Sequence, residues 1–289
     1  MKRFLKILFW MVIAIFLVPI AGGVLYMIAK STILASSNRI GVIFVRGTIT
    51  DSFEYTDALA SFRKDDRVRA IIIRIDSPGG GVSAAQELYR EVLRTREAKP
   101  VVASLGSVAT SGGYYVACGA SKIIASPGTI TGSIGVIAFF PNLSRIFEKI
   151  GFETVVIKSG KFKDLGNPGR TMTPDEENLI RESLMQVHRQ FVRDIAVARG
   201  LDESKVDAIA DGRILTGESA LELGLIDELG NFQDAVQVAR LLAQMEEEPE
   251  LIYHEKRRRL IEMLFGESAV RWLDRLFSTE VAPVRLQYP

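Results

Sequence analysis

The segment Ala70–Asp76, AIIIRID, carries isoleucine on both alternating faces of an extended chain. A strand with one wet face alternates apolar and polar residues. One that is apolar on both faces needs cover on both, which places it inside a largely parallel sheet flanked by helices. Arg39–Ile49 (RIGVIFVRGTI) reads as a second strand, and shorter ones are expected at Val101–Ser104, Lys122–Ala125, Ser133–Phe139 and Thr154–Ile157. Helical patterns fall between them, at Tyr55–Arg63 and at Ser83–Glu97, where Leu88, Val92 and Leu93 form one stripe. This alternation predicts an α/β domain of repeated βαβ crossovers. Thr173-Pro174-Asp175-Glu176 then opens a long helix, with Thr173 as N-cap, proline first and glutamate three residues past the cap; it runs to about Arg199, before Gly200. Gly217–Leu223 and Phe232–Met245 read as further helices.

Before this domain lies an uncharged stretch, Ile7–Ala29. About 23 helical residues cover roughly 34 Å, enough to cross a hydrocarbon core and longer than the apolar core of a cleavable signal peptide. Ile33-Leu34-Ala35-Ser36 is the alternative, a cleavage site. Lys2, Arg3 and Lys6 precede the span, whereas only Lys30 and the distant Arg39 follow it, so the N-terminus is expected in the cytoplasm and everything after Lys30 outside it. The expected division is a cytoplasmic N-terminus and transmembrane helix at 1–30, the α/β domain at 31–248, and a C-terminal basic amphipathic segment at 249–289. Glu246-Glu247-Glu248 and Pro249 mark the end of the domain. Within the last segment, His254–Phe277 begins with Lys256–Arg259 and then places Leu260, Ile261, Leu264 and Phe265 at helical spacing, a pattern suited to a lipid surface, to its own domain or to a neighbouring subunit.

The totals exclude several classes. A formal net charge of +1 gives no general case for nucleic acid, and a single cysteine, Cys118, cannot form an intrachain disulfide. Cys118 lies among Ala and Val and reads as a small buried residue. Nothing in the sequence points to a metal ion or an organic cofactor.

Three glycine-containing loops carry the chemistry. Asp76-Ser77-Pro78-Gly79-Gly80-Gly81 follows the isoleucine strand; it fits neither phosphate-loop pattern, and suits an oxyanion hole or a peptide-binding edge. Ser111-Gly112-Gly113 opens an apolar helix, and Ser111 is either a capping hydroxyl or a nucleophile with the Gly112 N–H beside it. The two histidines, His188 and His254, sit in charged surroundings and read as solvated surface residues, and no G-x-S-x-G elbow is present. A histidine triad is therefore not expected. A lysine held neutral is another base that serine proteases use, and Lys158-Ser159-Gly160-Lys161-Phe162-Lys163-Asp164 offers lysines beside an aromatic ring. The residues alone leave Lys161 and Lys163 open.

DSPGGG, SVATSGGYYVA, TGSIGV and IKSGKFKD, in that order, resemble the signal peptide peptidase A family, membrane-anchored serine/lysine proteases with a Clp-protease/crotonase-like fold. The resemblance runs from about Arg39 to Met245, and ILTGESALELGLIDELG (Ile214–Gly230) fits the close of that fold. It implies Ser111 as nucleophile, Lys163 as general base, Ser133 as the hydroxyl that orients the lysine, and Gly79 or Gly80 with Gly112 as oxyanion donors. It also implies a single-copy, short-form member: a homo-oligomeric ring in an inner membrane that degrades hydrophobic remnant signal peptides. The alternatives are a related protease cutting another membrane protein, an inactive scaffold that binds hydrophobic peptides, and an acyl-CoA enzyme of the same fold, which would leave the anchor and Lys163 unexplained. The loop from Ser159 to Thr171 lacks an apolar pattern to fasten it to its own core, so Lys163 is expected to serve Ser111 of the adjacent protomer.

Overall fold

A computed structural model describes residues 17–20, 22–27, 38–254 and 285–286. Strands β1 (Arg39–Arg46), β2 (Val68–Ser77) and β4 (Val101–Thr110) are parallel neighbours. The crossovers between them are helices α1 (Phe53–Lys64) and α2 (Val82–Arg96), and β3 (Gly80–Gly81) lies just before α2. The expected α/β class and its repeated crossovers are therefore present. The isoleucine strand has the two-sided cover its sequence requires. Ile71, Ile73 and Ile75 pack into one core with Leu88, Tyr115 and Phe191, while Ala70 and Ile72 pack on the other face against Ala235, Val236 and Ala239.

Strand β4 runs six residues past its expected end at Ser104 and forks. Its first half pairs with β5 (Lys122–Ala125), and its last three residues pair with β6 (Ile130–Gly132). Thr131 Oγ1 donates to the Ala109 carbonyl at 2.7 Å, and Thr129 Oγ1 to that of Gly106 at 2.9 Å, which fixes the second branch. The fork delivers the chain end at Ser111 into a corner between branches, directly before helix α3 (Gly112–Cys118).

The expected strand at Ser133–Phe139 is displaced: the β6 ladder stops at Gly132, because Ser133 has φ 50° and leaves the extended region, and within the expected span only Ile137 makes a single bridge. Thr154–Ile157 is not a strand either; Val155 is 86% and Ile157 96% exposed. A short helix not expected from the sequence, α4 (Ser144–Ile150), lies between these segments.

The long helix α5 (Pro174–Arg199) begins as its sequence predicts. Thr173 accepts from the Glu176 amide, and the Glu176 carboxylate accepts from the Thr173 amide at 2.9 Å. It ends at Gly200, with φ 64°. After it come α6 (Glu203–Asp207), β7 (Ile214–Thr216), α7 (Gly217–Glu222), β8 (Glu228–Leu229) and α8 (Phe232–Leu242). Arg199, at the end of α5, donates to Asp227 at 2.9 Å, and Asp227 also accepts from the Ile123 amide at 2.8 Å, which ties the helix end to β5.

Strand β9 (Glu250–Tyr253) pairs parallel with β1, so sheet pairing continues past the boundary expected at 248. Cys118 is fully buried, as expected, and burial pushes its thiol up to about 12. Residues 17–20 and 22–27 are helical and exposed, and no helix among the described residues is long and apolar enough to cross a membrane. The rest of the expected anchor, and most of the expected amphipathic segment after His254, lie outside the described residues.

Candidate active site

Ser111 sits where a cap would sit but does not cap. Its hydroxyl makes no hydrogen bond to the helix it precedes, and its backbone has φ 52° and ψ −119°, a region that costs a residue with a Cβ on the order of 1–3 kcal/mol. The strain is held by the surrounding backbone. The Ser111 amide donates to the Gly132 carbonyl at 2.8 Å, and the Ser111 carbonyl accepts from Tyr115 at 2.9 Å. The side chain is 1% exposed, yet Oγ has no hydrogen-bond partner among the described residues. An unpaired buried hydroxyl is uncommon and expensive.

Two glycine loops meet beside it. A Cβ on Gly112 would lie 3.3 Å from the Gly80 nitrogen and 3.4 Å from Gly79 Cα, and one on Gly80 would stand 2.1 Å from the Ile49 carbonyl oxygen. At Gly80 only glycine allows this approach to the Ile49 backbone, while at Gly112 a side chain would be tightly crowded. Of the two glycines expected to offer an oxyanion donor from the first loop, Gly79 has its amide engaged with Ser77 Oγ at 3.1 Å. Gly80 lies in β3, and β10 (Arg285–Leu286) pairs antiparallel along it, with Leu286 opposite Gly80. The edge next to Ser111 thus accepts an extended chain.

Ser133 lies one residue beyond the carbonyl that receives the Ser111 amide. It is buried, and its own amide donates to Arg213 at 2.8 Å. Ser133 lines a cavity of about 470 Å³ together with Val136, Ile137, Leu184, Met185 and His188. His188 departs from its expected solvated setting: its side chain is 16% exposed, with Nε2 4.0 Å from an Asp207 oxygen, because α5 turns this face toward the cavity. His254 is half-buried, edge-on to Phe62. Neither histidine is hydrogen-bonded to Ser111.

Lys163 is exposed, on a run of turns, and no hydrogen bond joins it to Ser111 within one chain. The next residue is held tightly. Asp164 accepts from Arg170 Nε at 2.8 Å and from Lys158 Nζ at 2.5 Å, and Arg170 also reaches Glu176 at 2.5 and 2.8 Å. Hydrogen bonds from Arg170, then from Lys158, hold the Asp164 carboxyl well below the usual range. Arg170, with help from the Thr173 amide, holds Glu176 down at about 2. Lys161, the other lysine left open by the sequence, is paired with Asp175 on the exposed start of α5.

The profile of peptidase family S49 matches residues 94–246, which contain Ser111, Ser133 and the lysine loop. The chain belongs to peptidase family S49. The Clp protease profile matches residues 29–129 of this S49 chain, the part that holds the first crossovers and the forked strand. A Synechocystis sp. protein named as a candidate protease is 45% identical over 183 residues, 63% of this chain and 66% of its own. An Enterococcus faecium protein named as a candidate signal peptide peptidase SppA is 33% identical over 216 residues, 70% of this chain and 63% of its own. The serine protease SPPA of Arabidopsis thaliana, named as chloroplastic, is 36% identical over 206 residues, 71% of this chain and 30% of its own. The S49 chain therefore spans between 30% and 66% of the length of these relatives.

Sequence reasoning singled out Ser111 and its glycine loops as candidates, and missed what holds the lysine loop. The signal was the alternating charge of Lys158, Asp164, Arg170 and Glu176, in which only the capping role of Glu176 was legible. The serine corner yields a stability prediction. Ser111→Ala removes a buried unpartnered hydroxyl at unchanged backbone geometry, so it should raise the unfolding free energy by about 1 kcal/mol. Chemical denaturation of the two proteins measures this, and a less stable variant would show that the hydroxyl is satisfied in the folded protein.

Proposed function

We propose that this chain is a serine endopeptidase whose nucleophile is Ser111 and whose general base is Lys163. The observation that carries the reading is a buried, strained, unpartnered serine hydroxyl beside a glycine edge that already pairs with an extended chain. A peptide laid along Gly80–Gly81 brings a carbonyl past Ser111. Ser111 Oγ attacks it, and the neutral Lys163 amine takes the proton. The amides of Gly112 and Gly80 are the donors proposed for the oxyanion. Collapse breaks the C–N bond, the leaving amine takes the proton from Lys163, and water then hydrolyses the acyl-enzyme with the same lysine as base. Ser133 is proposed to orient the lysine at the mouth of the apolar cavity, which suits small or apolar side chains.

The proposed substrates are hydrophobic signal peptides left in the membrane after secretion. The chain is proposed to be anchored in the inner membrane by one N-terminal helix, its catalytic domain on the extracytoplasmic side. Leu17, Val18, Ile20, Val24 and Leu25, helical and exposed, support the anchor, and the lysines and arginine before the span support the orientation. A homo-oligomeric ring with shared sites is supported by two facts. Lys163 faces solvent while Ser111 is buried, and Phe139, Ile146, Ile150, Phe152, Val155 and Ile157 leave an apolar surface around the lysine loop uncovered.

Ser111→Ala and Lys163→Ala should each lower peptide hydrolysis by at least about a thousandfold, with the fold and the assembly retained, whereas Lys161→Ala and His188→Ala keep most of it. Residual turnover near wild type in Lys163→Ala would remove it as the base. Equal co-assembly of the two inactive variants should restore about a quarter of wild-type activity, because one interface in four then joins an intact serine to an intact lysine. Inactive mixed rings would place the whole site in one chain. Protease added outside spheroplasts should digest the domain after Lys30 and leave a small protected fragment; protection of the whole chain until lysis would reverse the orientation.

A further inference from the structure

Lys163 lies on a segment with little apolar fastening, yet its neighbour Asp164 is only 10% exposed. Charge does the fastening. Arg170 bridges Asp164 and Glu176 with its guanidinium, and also donates to the Asp164 carbonyl at 3.3 Å and to the Thr171 carbonyl at 3.2 Å. Lys158 closes the other side of Asp164 and donates to the Lys161 carbonyl at 3.0 Å. The Glu176 side chain, 3% exposed, is seated by the Thr173 amide and hydroxyl. This places the loop against the first turn of α5. A cavity of about 540 Å³, with Phe147, Phe152 and Val155 on its apolar wall, backs the network.

We propose that Lys158, Asp164, Arg170 and Glu176 form a positioning clamp for Lys163, fixing its backbone while adding no net charge beside its amine. The proposal rests on Lys163 as the general base. None of the four is a catalytic residue; each acts through the backbone and the local field. The clamp holds two cations and two carboxylates, so its charges cancel. That balance matters for a lysine that must lose its proton: surplus negative charge nearby favours the ammonium form, and surplus positive charge disfavours it. The other charges facing this loop are Lys161 within it, Asp175 on α5, and Glu148 and Glu153 across the cavity. Lys161 and Asp175 pair with each other. Lys163 itself makes no side-chain hydrogen bond in the network, which leaves its amine available.

Charge cancellation makes a signed test. Arg170→Gln leaves the clamp one negative charge in surplus, so the rising limb of the kcat/KM profile against pH should move to higher pH by about one unit, with kcat at neutral pH down roughly tenfold or more and KM within about twofold. Asp164→Asn leaves a positive surplus, and its limb should move to lower pH. Arg170→Lys should return the limb to its original position while kcat stays below wild type, because an ammonium keeps the charge but not the two-pronged geometry. The full chain in detergent is assayed on a quenched apolar peptide, with folding and assembly checked by circular dichroism and size. If Arg170→Gln does not fold, Lys158→Gln, at the more exposed end of the clamp, is read in its place and should also move the limb to higher pH. Limbs that stay put, or that move the same way in the asparagine and glutamine variants, overturn the clamp. So does a loss confined to KM. Lys163→Ala separates the two readings: if it is active, the base assignment fails, whereas if it is inactive and the clamp variants behave as wild type, the clamp alone fails.

Discussion

The close approach of two backbone segments, Gly79–Gly80 and Gly112, is the constraint on which the site depends. A Cβ on Gly80 would stand 2.1 Å from the Ile49 carbonyl oxygen, and one on Gly112 would be crowded at 3.2–3.4 Å by Ala85, Gly80 and Gly79, so the first loop requires glycine and the second has little room beside Ser111. The forked strand makes the approach possible, since β4 pairs with β2 on one side and delivers Ser111 out of the top of the sheet on the other. There the chain must turn sharply into α3, and Ser111 takes the strained backbone that this turn demands. The Ser111–Gly132 hydrogen bond and the packing of Tyr114 and Tyr115 hold that turn in place. Burial, strain and an unsatisfied hydroxyl at one residue all cost stability, and together they support the proposal that Ser111 is the nucleophile.

The two halves of the proposed site are built by different physics. The serine corner is made of backbone hydrogen bonds and apolar packing, with Tyr114 fully buried and its hydroxyl on the Leu225 carbonyl at 2.7 Å. The lysine loop is made of ion pairs at the start of a capped helix, beside an apolar surface that is open in a single chain. A rigid corner suits the reacting atom, whose position must be exact to a fraction of an ångström. A loop anchored at one residue and exposed at the next suits a base completed by contact with a neighbour. Salt screens surface charge over about 8 Å at physiological ionic strength, but the clamp's carboxylates are too buried to be dissolved by it.

How much of this was legible in the sequence depended on whether the cause was local. Two-sided apolarity made Ala70–Asp76 an interior strand, and the capping box fixed the start of the long helix, because each property belongs to a few adjacent residues. Ser111 and its glycines were legible as candidates, although it took the hydroxyl's surroundings to show that Ser111 does not cap the helix. The fork of β4 was not legible, since it depends on two partners from distant segments. Ser133–Phe139 and Thr154–Ile157 look like strands by composition, but Ser133 takes a positive φ, and Val155 and Ile157 stay exposed outside the sheet. The clamp was hidden for the same reason: Arg170 pairs with residues six positions to either side across a run of turns, where no helix or strand period applies.

If Ser111 is the nucleophile, its Oγ is covalently acylated during turnover. Peptide mapping by mass spectrometry after rapid acid quench, with a slowly deacylating peptide ester as substrate, detects this. An acyl mass increment is expected on the peptide containing Ser111, absent from Ser111→Ala and formed far more slowly in Lys163→Ala. Turnover with no adduct at Ser111, or with an adduct on another side chain, would contradict it.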